Sequence, residues 1–324
     1  MKHIRRLFRK LMVHLCLTLL YGYAVLKRRT VLVVPEKFGR LGNRIYLASH
    51  IMAFAQRGRF VVLLPALEEY VHYFQGSDRD LFCRYPAGIT PFLSHIQMFR
   101  RRYSHLLWYA AKYIEGKQSS RHFKTIRLYS LEDELILGTS EFMHLAKQHK
   151  VLFFCGWMFH DFEALEKYSD RVRPYFQPLL NNEAAIAEPI DYLRGKADVI
   201  VAIAIRHGDY RVFQGGCYFF QVSDYAGLMV RLLALFPGKR VGFLICSDED
   251  QDTSCFKDLI HFFRPYHPLE NLFSMSRCDY IVSSPSSYAG SAAFIGNVPI
   301  LFVKNINDEV SISAFGPSRL IAPK

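Results

Sequence analysis

Several short motifs that mark large enzyme classes are missing from this 324-residue sequence. It has no G-x-G-x-x-G dinucleotide fingerprint and no glycine-rich loop that ends in Gly-Lys-Ser or Gly-Lys-Thr. It also lacks the G-x-S-x-G turn that presents the nucleophile of an α/β-hydrolase. These absences argue against a Rossmann dinucleotide site, a P-loop and a serine-hydrolase triad.

Paired metal ligands are also missing. The seven cysteines are widely spread and include no Cys-x-x-Cys pair, which argues against a structural zinc site and favours reduced, buried thiols in a reducing compartment. Asp248, Asp250 and Asp252 alternate as in a calcium loop, but Thr253 and Leu259 stand where that loop needs glycine and glutamate. We therefore expect neither a metal ion nor another cofactor.

Acidic residues are scarce in two stretches, which explains the net charge of +12. Residues 1–30 contain eight Lys and Arg and no acid, and residues 97–127 contain eight more beside the single acid Glu115. The basicity is therefore local, and no nucleic-acid-binding motif accompanies it, so we expect no nucleic-acid partner. The basic, aromatic stretch 97–127 fits either a membrane or anionic acceptor surface, or an ordinary solvated helix face.

The N-terminus has the pattern of an amphipathic helix. Its apolar run from Leu11 to Leu26 is short for a transmembrane helix, and no signal-peptidase site follows it. Apolar residues fall on one face of the first turns and basic residues on the other, as in helices that lie in an anionic membrane interface. A docked surface helix and a single-pass signal anchor are the alternatives. The apolar face consists of Ile4, Leu7, Phe8, Leu11 and Leu15, and the basic face of Arg5, Arg6, Arg9 and Lys10.

The rest of the chain alternates strand-like and helix-like segments, which predicts an α/β fold with parallel sheets. We predict an amphipathic membrane-associating helix over 1–27, an N-terminal Rossmann-like domain over 28–180, a connection over 181–198 that includes a helix, and a C-terminal Rossmann-like domain over 199–324. The basic N-terminal helix and the reduced thiols together predict a peripheral protein on the cytoplasmic face of a membrane. The predicted strands are 31–34, 61–64, 151–154, 199–205, 241–246, 280–283 and 298–303, and the main predicted helices are 45–56, 94–115, 223–236, 254–263, 269–278 and 286–295.

Polar side chains follow three of the C-terminal strands, where ligands bind in open α/β sheets. Strand 199–205 runs into Arg206, whose planar guanidinium can pair with two phosphate oxygens, and into His207 and Asp209. Asp209 is a candidate base or a partner that orients Arg206. His207 is a candidate nucleotide-binding residue or an ordinary hydrogen-bonding loop residue.

Two more strand ends complete this set. Asp248 follows strand 241–246, and a carboxylate there can accept both hydrogen bonds from the edge of guanine. Ser286 and Ser287 begin a helix, where hydroxyls and free backbone N–H groups form an anion site or simply cap the helix. Together, these residues predict a site for a nucleoside diphosphate. In the N-terminal domain, Gly42 and Asn43 belong to a glycine loop before a helix, which is a weaker signal.

The chain resembles the α-1,2-fucosyltransferases and, more broadly, the GDP-fucose-dependent fucosyltransferases. GRLGNRIYLASHIMAFA is similar to the family's G-G-L-G-N-Q-M-F-Q-Y-A segment, IRHGDY to H-x-R-R-G-D-Y, and ICSDEDQD to F-S-D-D. FFCGWMFHDFEALEKYSDRVRPYFQP is similar to its G-Y-W-Q-S-E-K-Y-F … R … F-x-P segment, and NLFSMSRCDYIVSSPSSYAGSAAFIG to L-M-S-x-C … N-S-S-F-S-W-W-A-A. These five matches follow one another in the same order.

This resemblance implies a GT-B fold, with two Rossmann-like domains facing a cleft, and an inverting, metal-independent transfer of fucose from GDP-fucose to a glycan acceptor. It places Arg206 on the diphosphate, Asp248 on guanine, and Ser286 and Ser287 on the phosphates. Gly42 and Asn43 would face the cleft from the other domain.

The sequence departs from the family pattern at three places. Ala204 replaces the signature histidine that helps to hold the base, His207 replaces the second arginine, and Gly290-Ser291 replaces Trp-Trp. Two alternatives therefore stay open: a GT-B transferase that uses another nucleotide sugar, and a non-catalytic nucleotide- or glycan-binding relative.

Overall fold

The computed structural model describes residues 2–90, 97–117, 120–130, 133–179 and 183–317. The chain divides into two compact units, Met1–Gln177 and Pro178–Lys324, and each contains a five-stranded sheet. The helices of the first unit are α1 (Lys2–Leu26), α2 (Leu41–Ala55), α3 (Gln97–Glu115), α4 (Ser140–Gln148) and α5 (Phe162–Val172), and its strands are β1 (Thr30–Val33), β2 (Phe60–Leu63), β3 (Arg84–Tyr85), β4 (Phe123–Arg127), β5 (Leu135–Ile136), β6 (Val151–Cys155) and β7 (Phe159–His160).

The second unit begins with a helix that packs on its own sheet. The helices are α6 (Glu183–Arg194), α7 (Val222–Leu233), α8 (Glu270–Met275) and α9 (Ser287–Gly296), and the strands are β8 (Val199–Ile205), β9 (Val241–Ser247), β10 (Ile260–Arg264), β11 (Tyr280–Ser283) and β12 (Ile300–Phe302). Arg277 pairs with Glu183 of α6, and α6 packs on β8, β9, β10 and α8. The segment expected as a connection, 181–198, therefore carries a helix of the second unit.

The sheet of the first unit has the order β3-β2-β1-β6-β4, in which only β3 is antiparallel. β1 and β2 are short runs of mostly β-branched residues that are almost wholly buried, as expected of parallel strands covered on both faces. α1 and α3 share one hydrophobic core with β1, β2 and β6, and α2 packs on α5. This sheet gives the first unit a Rossmann-like architecture.

The sheet of the second unit has the order β10-β9-β8-β11-β12 and is parallel throughout. β8 and β9 are buried at every position, and α7 closes the core on one face through Tyr225, Leu228 and Met229. Because β9, β8 and β11 are neighbours and parallel, the segments that leave them emerge side by side.

The prediction of a helix over 254–263 is wrong. Residues 254–256 form a single 3₁₀ turn, and β10 follows and pairs in parallel with β9 from Ile260 to Arg264. A short apolar run of aromatic and β-branched residues is compatible with both helical and strand periodicity. Here the segment pairs with the free edge of β9 and therefore forms a strand. The predicted helix 94–115 is observed from Gln97, and residues 94–96 lie outside the described part.

α1 is longer than the apolar run Leu11–Leu26 that was noted in the sequence. It is continuous from Lys2 to Leu26, and its stretch Ile4–Leu26 is long and apolar enough to cross a membrane by length and composition, a test that signal sequences also pass. Five of its side chains enter the core of the first unit, as expected of a docked helix: Val13, Cys16, Leu17, Leu20 and Ala24.

Candidate functional site

Arg206 leaves the carboxyl end of β8 and is held on two sides. Its Nε and Nη2 donate to the two carboxylate oxygens of Asp209 at 2.9 and 2.7 Å, and its guanidinium lies 4.4 Å from the centre of the Tyr210 ring. Burial lowers the pKa of Arg206, but the hydrogen-bonded Asp209 carboxylate outweighs that effect, and the pKa lies above its usual value. The structure therefore presents a permanent, oriented positive charge at this strand end.

Asp209 serves as the partner of Arg206. Both of its carboxylate oxygens accept from the guanidinium, so the structure shows the ion pair that the sequence left as one of two alternatives. A carboxylate held in this way is a poor proton acceptor, because protonation would break two charge-assisted hydrogen bonds. Of the two roles predicted for Asp209, the geometry therefore favours orientation of Arg206 over action as a general base.

Tyr210 is a site residue that the sequence analysis missed. Its ring lies under Arg206, and its hydroxyl donates to the Pro285 carbonyl, which ties the segment after β8 to the segment after β11. Burial raises the pKa of Tyr210 to about 12, so the hydroxyl keeps its proton at neutral pH. Its position directly after Arg-His-Gly-Asp indicates that it lies near Arg206, but the sequence does not show which group its hydroxyl contacts.

Asp248 lies at the carboxyl end of β9 and contacts the segment after β8. Its Oδ1 accepts from the His207 backbone N–H at 2.9 Å. A side chain at Gly208 would bring its Cβ within 2.9 Å of Asp248 Oδ2, so a glycine at this position lets the carboxylate lie against the backbone. The structure thus brings Asp248 beside the segment of Arg206, as predicted, and its place on guanine stays a prediction.

His207 does not present its side chain to a ligand. The ring is buried, Nε2 donates to the Phe220 carbonyl at 2.8 Å, and Nδ1 accepts from the Gln251 amide at 3.1 Å. This pattern places the ring proton on Nε2 and engages both nitrogens within the second unit. We therefore replace the expected ligand contact of His207 with a positioning role for the segment after β8.

The segment after β11 brings the start of α9 to the same edge. Ser286 is the N-cap residue, and its hydroxyl accepts from the Tyr288 N–H at 3.3 Å. Ser287 begins the helix, and its carbonyl accepts from Ser291. The cap is the simpler of the two roles foreseen for Ser286, and the positive end of the α9 dipole still points toward this edge of the sheet.

The second unit therefore assembles Arg206, Asp248 and the N-terminus of α9 at the adjacent carboxyl ends of β8, β9 and β11. This edge offers a cation and helix-end N–H groups for an anion, and a carboxylate for a donor-rich ring edge. Among the residues that the structure describes, no three His, Cys, Asp or Glu side chains group as metal ligands.

In the first unit, the loop between β1 and α2 is tightly built. Gly39 has a φ of +61°, and a Cβ there would come within 2.3 Å of the Asn43 side chain. Arg44 donates to the Gly39 carbonyl and pairs with Glu69 at 2.7 Å. Asn43 is half-buried and Gly42 buried in the first turn of α2, so the predicted glycine loop exists as a strand-to-helix turn.

A cavity of about 500 Å³ lies next to this loop in the first unit. Its walls come from the segment after β1 and from one side of α3. Glu36 accepts from Arg127 at 3.0 Å, and Lys112 lies 3.9 Å from the Trp108 ring centre. The lining residues are Pro35, Glu36, Lys37, Ser104, His105, Trp108 and Tyr109.

No protein-family model matches the sequence, and no curated protein matches it significantly. Solved structures do resemble it in fold. The structure of a mutant of Arabidopsis thaliana FUT1 in complex with GDP aligns with a TM-score of 0.53 at 13% identity, over 85% of this chain and 70% of that chain. This likeness confirms the predicted fold class of two Rossmann-like units, as in GT-B fucosyltransferases.

Two further structures have lower TM-scores. POFUT1 in complex with GDP aligns with a TM-score of 0.48 at 11% identity, over 84% of this chain and 95% of that chain. NodZ α-1,6-fucosyltransferase soaked with GDP-fucose aligns with a TM-score of 0.45 at 15% identity, over 89% of this chain and 97% of that chain.

Proposed function

We propose that the protein is a glycosyltransferase that transfers fucose from GDP-fucose to a hydroxyl of a glycan, with inversion at the anomeric carbon. The observation that carries this proposal is the oriented Arg206 guanidinium beside Asp248 and the N-terminus of α9. The ordered motif matches and the fold shared with a GDP-bound fucosyltransferase support the donor class. An α-1,2 linkage is the finer expectation that the motifs favour.

In this proposal, Arg206 acts on the leaving group. The bond between the anomeric carbon and the β-phosphate oxygen breaks, and its electron pair goes to GDP. The acceptor oxygen attacks from the opposite face and loses its proton to water. A preorganised cation at the developing phosphate charge accelerates such a step by about 10²–10³-fold. Because Arg206 supplies this charge, we expect the reaction to proceed without a metal ion.

Asp248 reads the base and the segment after β11 holds the phosphates. Asp248 Oδ1 already accepts from the His207 backbone, which fixes the carboxylate, and its Oδ2 lies on the Gly208 side of the segment. Ser286 and Ser287 bind phosphate through the N–H groups of the first turn of α9. Tyr210 and Asp209 set the angle of Arg206.

The acceptor binds to the first unit. The cavity between the segment after β1 and α3 combines a carboxylate, Glu36, with the aromatic rings of Trp108 and Tyr109. Aromatic faces pack on the C–H faces of sugar rings, and carboxylates accept from sugar hydroxyls. Trp108→Ala should therefore raise the KM for the acceptor and leave the affinity for GDP unchanged.

The test is release of GDP from GDP-fucose in the presence of a panel of glycan acceptors with EDTA, for the wild type and for Arg206→Ala. We expect turnover that the substitution reduces about 10²–10³-fold. Full activity of Arg206→Ala would overturn the mechanism. Turnover of another GDP- or UDP-sugar in preference to GDP-fucose would instead support the changed donor site that Ala204 leaves open, and nucleotide binding without turnover would support the non-catalytic alternative.

A further inference from the structure

α1 carries two opposite apolar faces. Eight large apolar side chains on one face are 47 to 79% exposed. At 3.6 residues per turn they fall within an arc of about 120° that runs for roughly 33 Å along the helix. These residues, the exposed stripe of α1, are Ile4, Leu7, Phe8, Leu11, Leu15, Leu19, Val25 and Leu26. A contiguous exposed stripe of this length marks an interaction surface, unlike singly scattered apolar residues.

The opposite face of the same helix belongs to the folded core. Val13, Leu17 and Leu20 are buried against β1, β2, β6 and α3, and Arg9 stacks on Tyr109 of α3 at 4.4 Å. A helix that crossed a bilayer would have to leave this core and expose those side chains and the strands beneath them. The packing therefore fixes α1 along the surface of the first unit.

Both ends of the exposed stripe are basic. Arg5 and Lys10 flank it in the first turns, and exposed Lys27, Arg28 and Arg29 follow its last residue. The sequence has no acidic residue before Glu36. Cations in the first turn oppose the helix dipole, which favours negative charge there, so they weaken the isolated helix. An anionic surface supplies the missing counter-charge.

We propose that the first unit binds an anionic membrane through the exposed stripe of α1, with the helix in the plane of the interface. Apolar side chains enter the boundary between headgroups and acyl chains, and the basic residues pair with lipid phosphates. The opposite face stays packed on β1, β2, β6 and α3 while this happens, so the attachment leaves the fold intact.

Charge argues against a second copy of the chain as the occupant. In a parallel pair of α1 helices, Arg5 would meet Arg5. In an antiparallel pair, Arg5 and Lys10 would meet Lys27 and Arg28 of the other copy. Both orientations bring like charges together along the contact, and the sequence offers no acidic residue within α1 to offset them.

The surface around the helix has the same character. α3 packs on α1, and its exposed face carries Arg101, Arg102 and Lys112 beside the exposed Met98 and Phe99. Mixed basic and large apolar side chains on two adjacent helices extend the membrane-binding surface beyond α1.

The test is flotation of the full chain with vesicles of phosphatidylcholine alone or with 30% phosphatidylglycerol. We expect binding to the anionic vesicles only. Leu11→Gln/Leu19→Gln should weaken it at least tenfold, and the control Ile89→Gln/Val230→Gln, which changes two equally exposed apolar residues elsewhere, should leave it within twofold. Arg5→Gln/Lys10→Gln should weaken it about 30-fold, and Lys257→Gln should not.

Position in the membrane is tested with nitroxide labels at positions 4, 11, 19 and 26, after the exposed Cys217 and Cys255 are replaced by serine. An in-plane helix gives the same shallow depth at all four positions, and a spanning helix gives depths that change along the helix. A spanning profile, or equal binding by Leu11→Gln/Leu19→Gln with an unchanged melting temperature, would overturn the proposal. A dimer that this variant dissociates, without vesicle binding by the wild type, would assign the stripe to a second copy. None of these measurements involves a nucleotide, so they are independent of the proposed transferase activity.

Discussion

Two Arg–Asp pairs stand at opposite ends of the same sheet, and their surroundings differ. At the amino end, Arg240 and Asp198 precede β9 and β8, and the Arg240 side chain is 62% exposed. At the carboxyl end, Arg206 pairs with Asp209, is 26% exposed, and lies on Tyr210, which is itself anchored to Pro285.

An Arg–Asp ion pair by itself therefore does not indicate a functional site. An exposed pair such as Arg240–Asp198 gains little, because water and salt screen it. Arg206 is held on two sides by Asp209 and by Tyr210, which is tied to the segment after β11, at the edge where α/β sheets bind ligands. This fixed orientation beside Asp248 and the start of α9 is what makes one arginine a candidate for catalysis and the other a surface residue.

The largest expected effect comes from truncating the two arginines separately. Arg206→Ala should lower kcat/KM for GDP-fucose about 10²–10³-fold, because the leaving diphosphate loses its oriented cation. Arg240→Ala, the matched control at the other end of the sheet, should leave kcat/KM within twofold. Steady-state kinetics of both variants checks this, and equal losses in the two would remove the distinction between the pairs.

Asp248→Asn should weaken GDP binding by about 10- to 100-fold, the range expected for a hydrogen bond to a charged group. Asparagine can still accept from the His207 N–H through Oδ1, so the segment after β8 keeps its anchor, while the charge is lost and the second acceptor oxygen is replaced by an N–H donor. Calorimetry measures the change, with the exposed neighbour Asp250→Asn as control. Unchanged affinity in Asp248→Asn would place the guanine elsewhere.

Tyr210→Phe should have a smaller effect on activity, because it changes the support of Arg206 and keeps the charge of Arg206. The ring under Arg206 stays, but the Pro285 carbonyl loses its donor, at a cost of about 1 kcal/mol. We expect the melting temperature to fall by about 2–4 °C and kcat to fall while the affinity for GDP is nearly kept. Thermal melts and kinetics of Tyr210→Phe beside the exposed Tyr192→Phe check this. A variant that melts lower with unchanged kcat would reduce Tyr210 to a structural residue.

The smallest effect concerns the pair at the amino end. Hydrogen bonds from Arg240 lower the pKa of Asp198, so the stability that this pair contributes is present above the usual pKa of an aspartate and is lost as the pH falls through the lowered value. The difference in melting temperature between wild type and Arg240→Ala should therefore be small at pH 7, and should vanish in 1 M salt and once the pH falls below the lowered pKa of Asp198. A large difference in melting temperature that persists in 1 M salt would mean that solvent exposure does not determine how much an ion pair contributes to stability.

The parallel core of the second unit could be predicted from the sequence, because its strands are continuous apolar runs. Residues 199–205 and 280–283 are strands with the predicted bounds, and Arg206 and Asp248 emerge from neighbouring strand ends as expected. β10 was missed because an edge strand lacks a fully buried pattern. Its residues Ile260 to Phe263 are only half-buried, and its pairing with β9 is invisible in the sequence.

The roles of individual side chains were harder to predict. His207 is buried through contacts with Phe220 and Gln251, 13 and 44 residues further along the chain, and no local pattern encodes such contacts. The same holds for the Tyr210 hydroxyl. In α1, the sequence showed one apolar stripe, but which side of the helix the body covers depends on the packing with α3.

The proposed nucleotide site is tested most directly by calorimetry of the purified protein with GDP, UDP, CDP and dTDP in the presence of EDTA. We expect GDP to bind at least tenfold more tightly than the other three, and Arg206→Ala to weaken this binding while Arg240→Ala does not. Absence of binding by any of the four nucleotides, or equal binding by wild type and Arg206→Ala, would contradict the claim that the carboxyl edge of the second sheet is a site for a guanosine diphosphate.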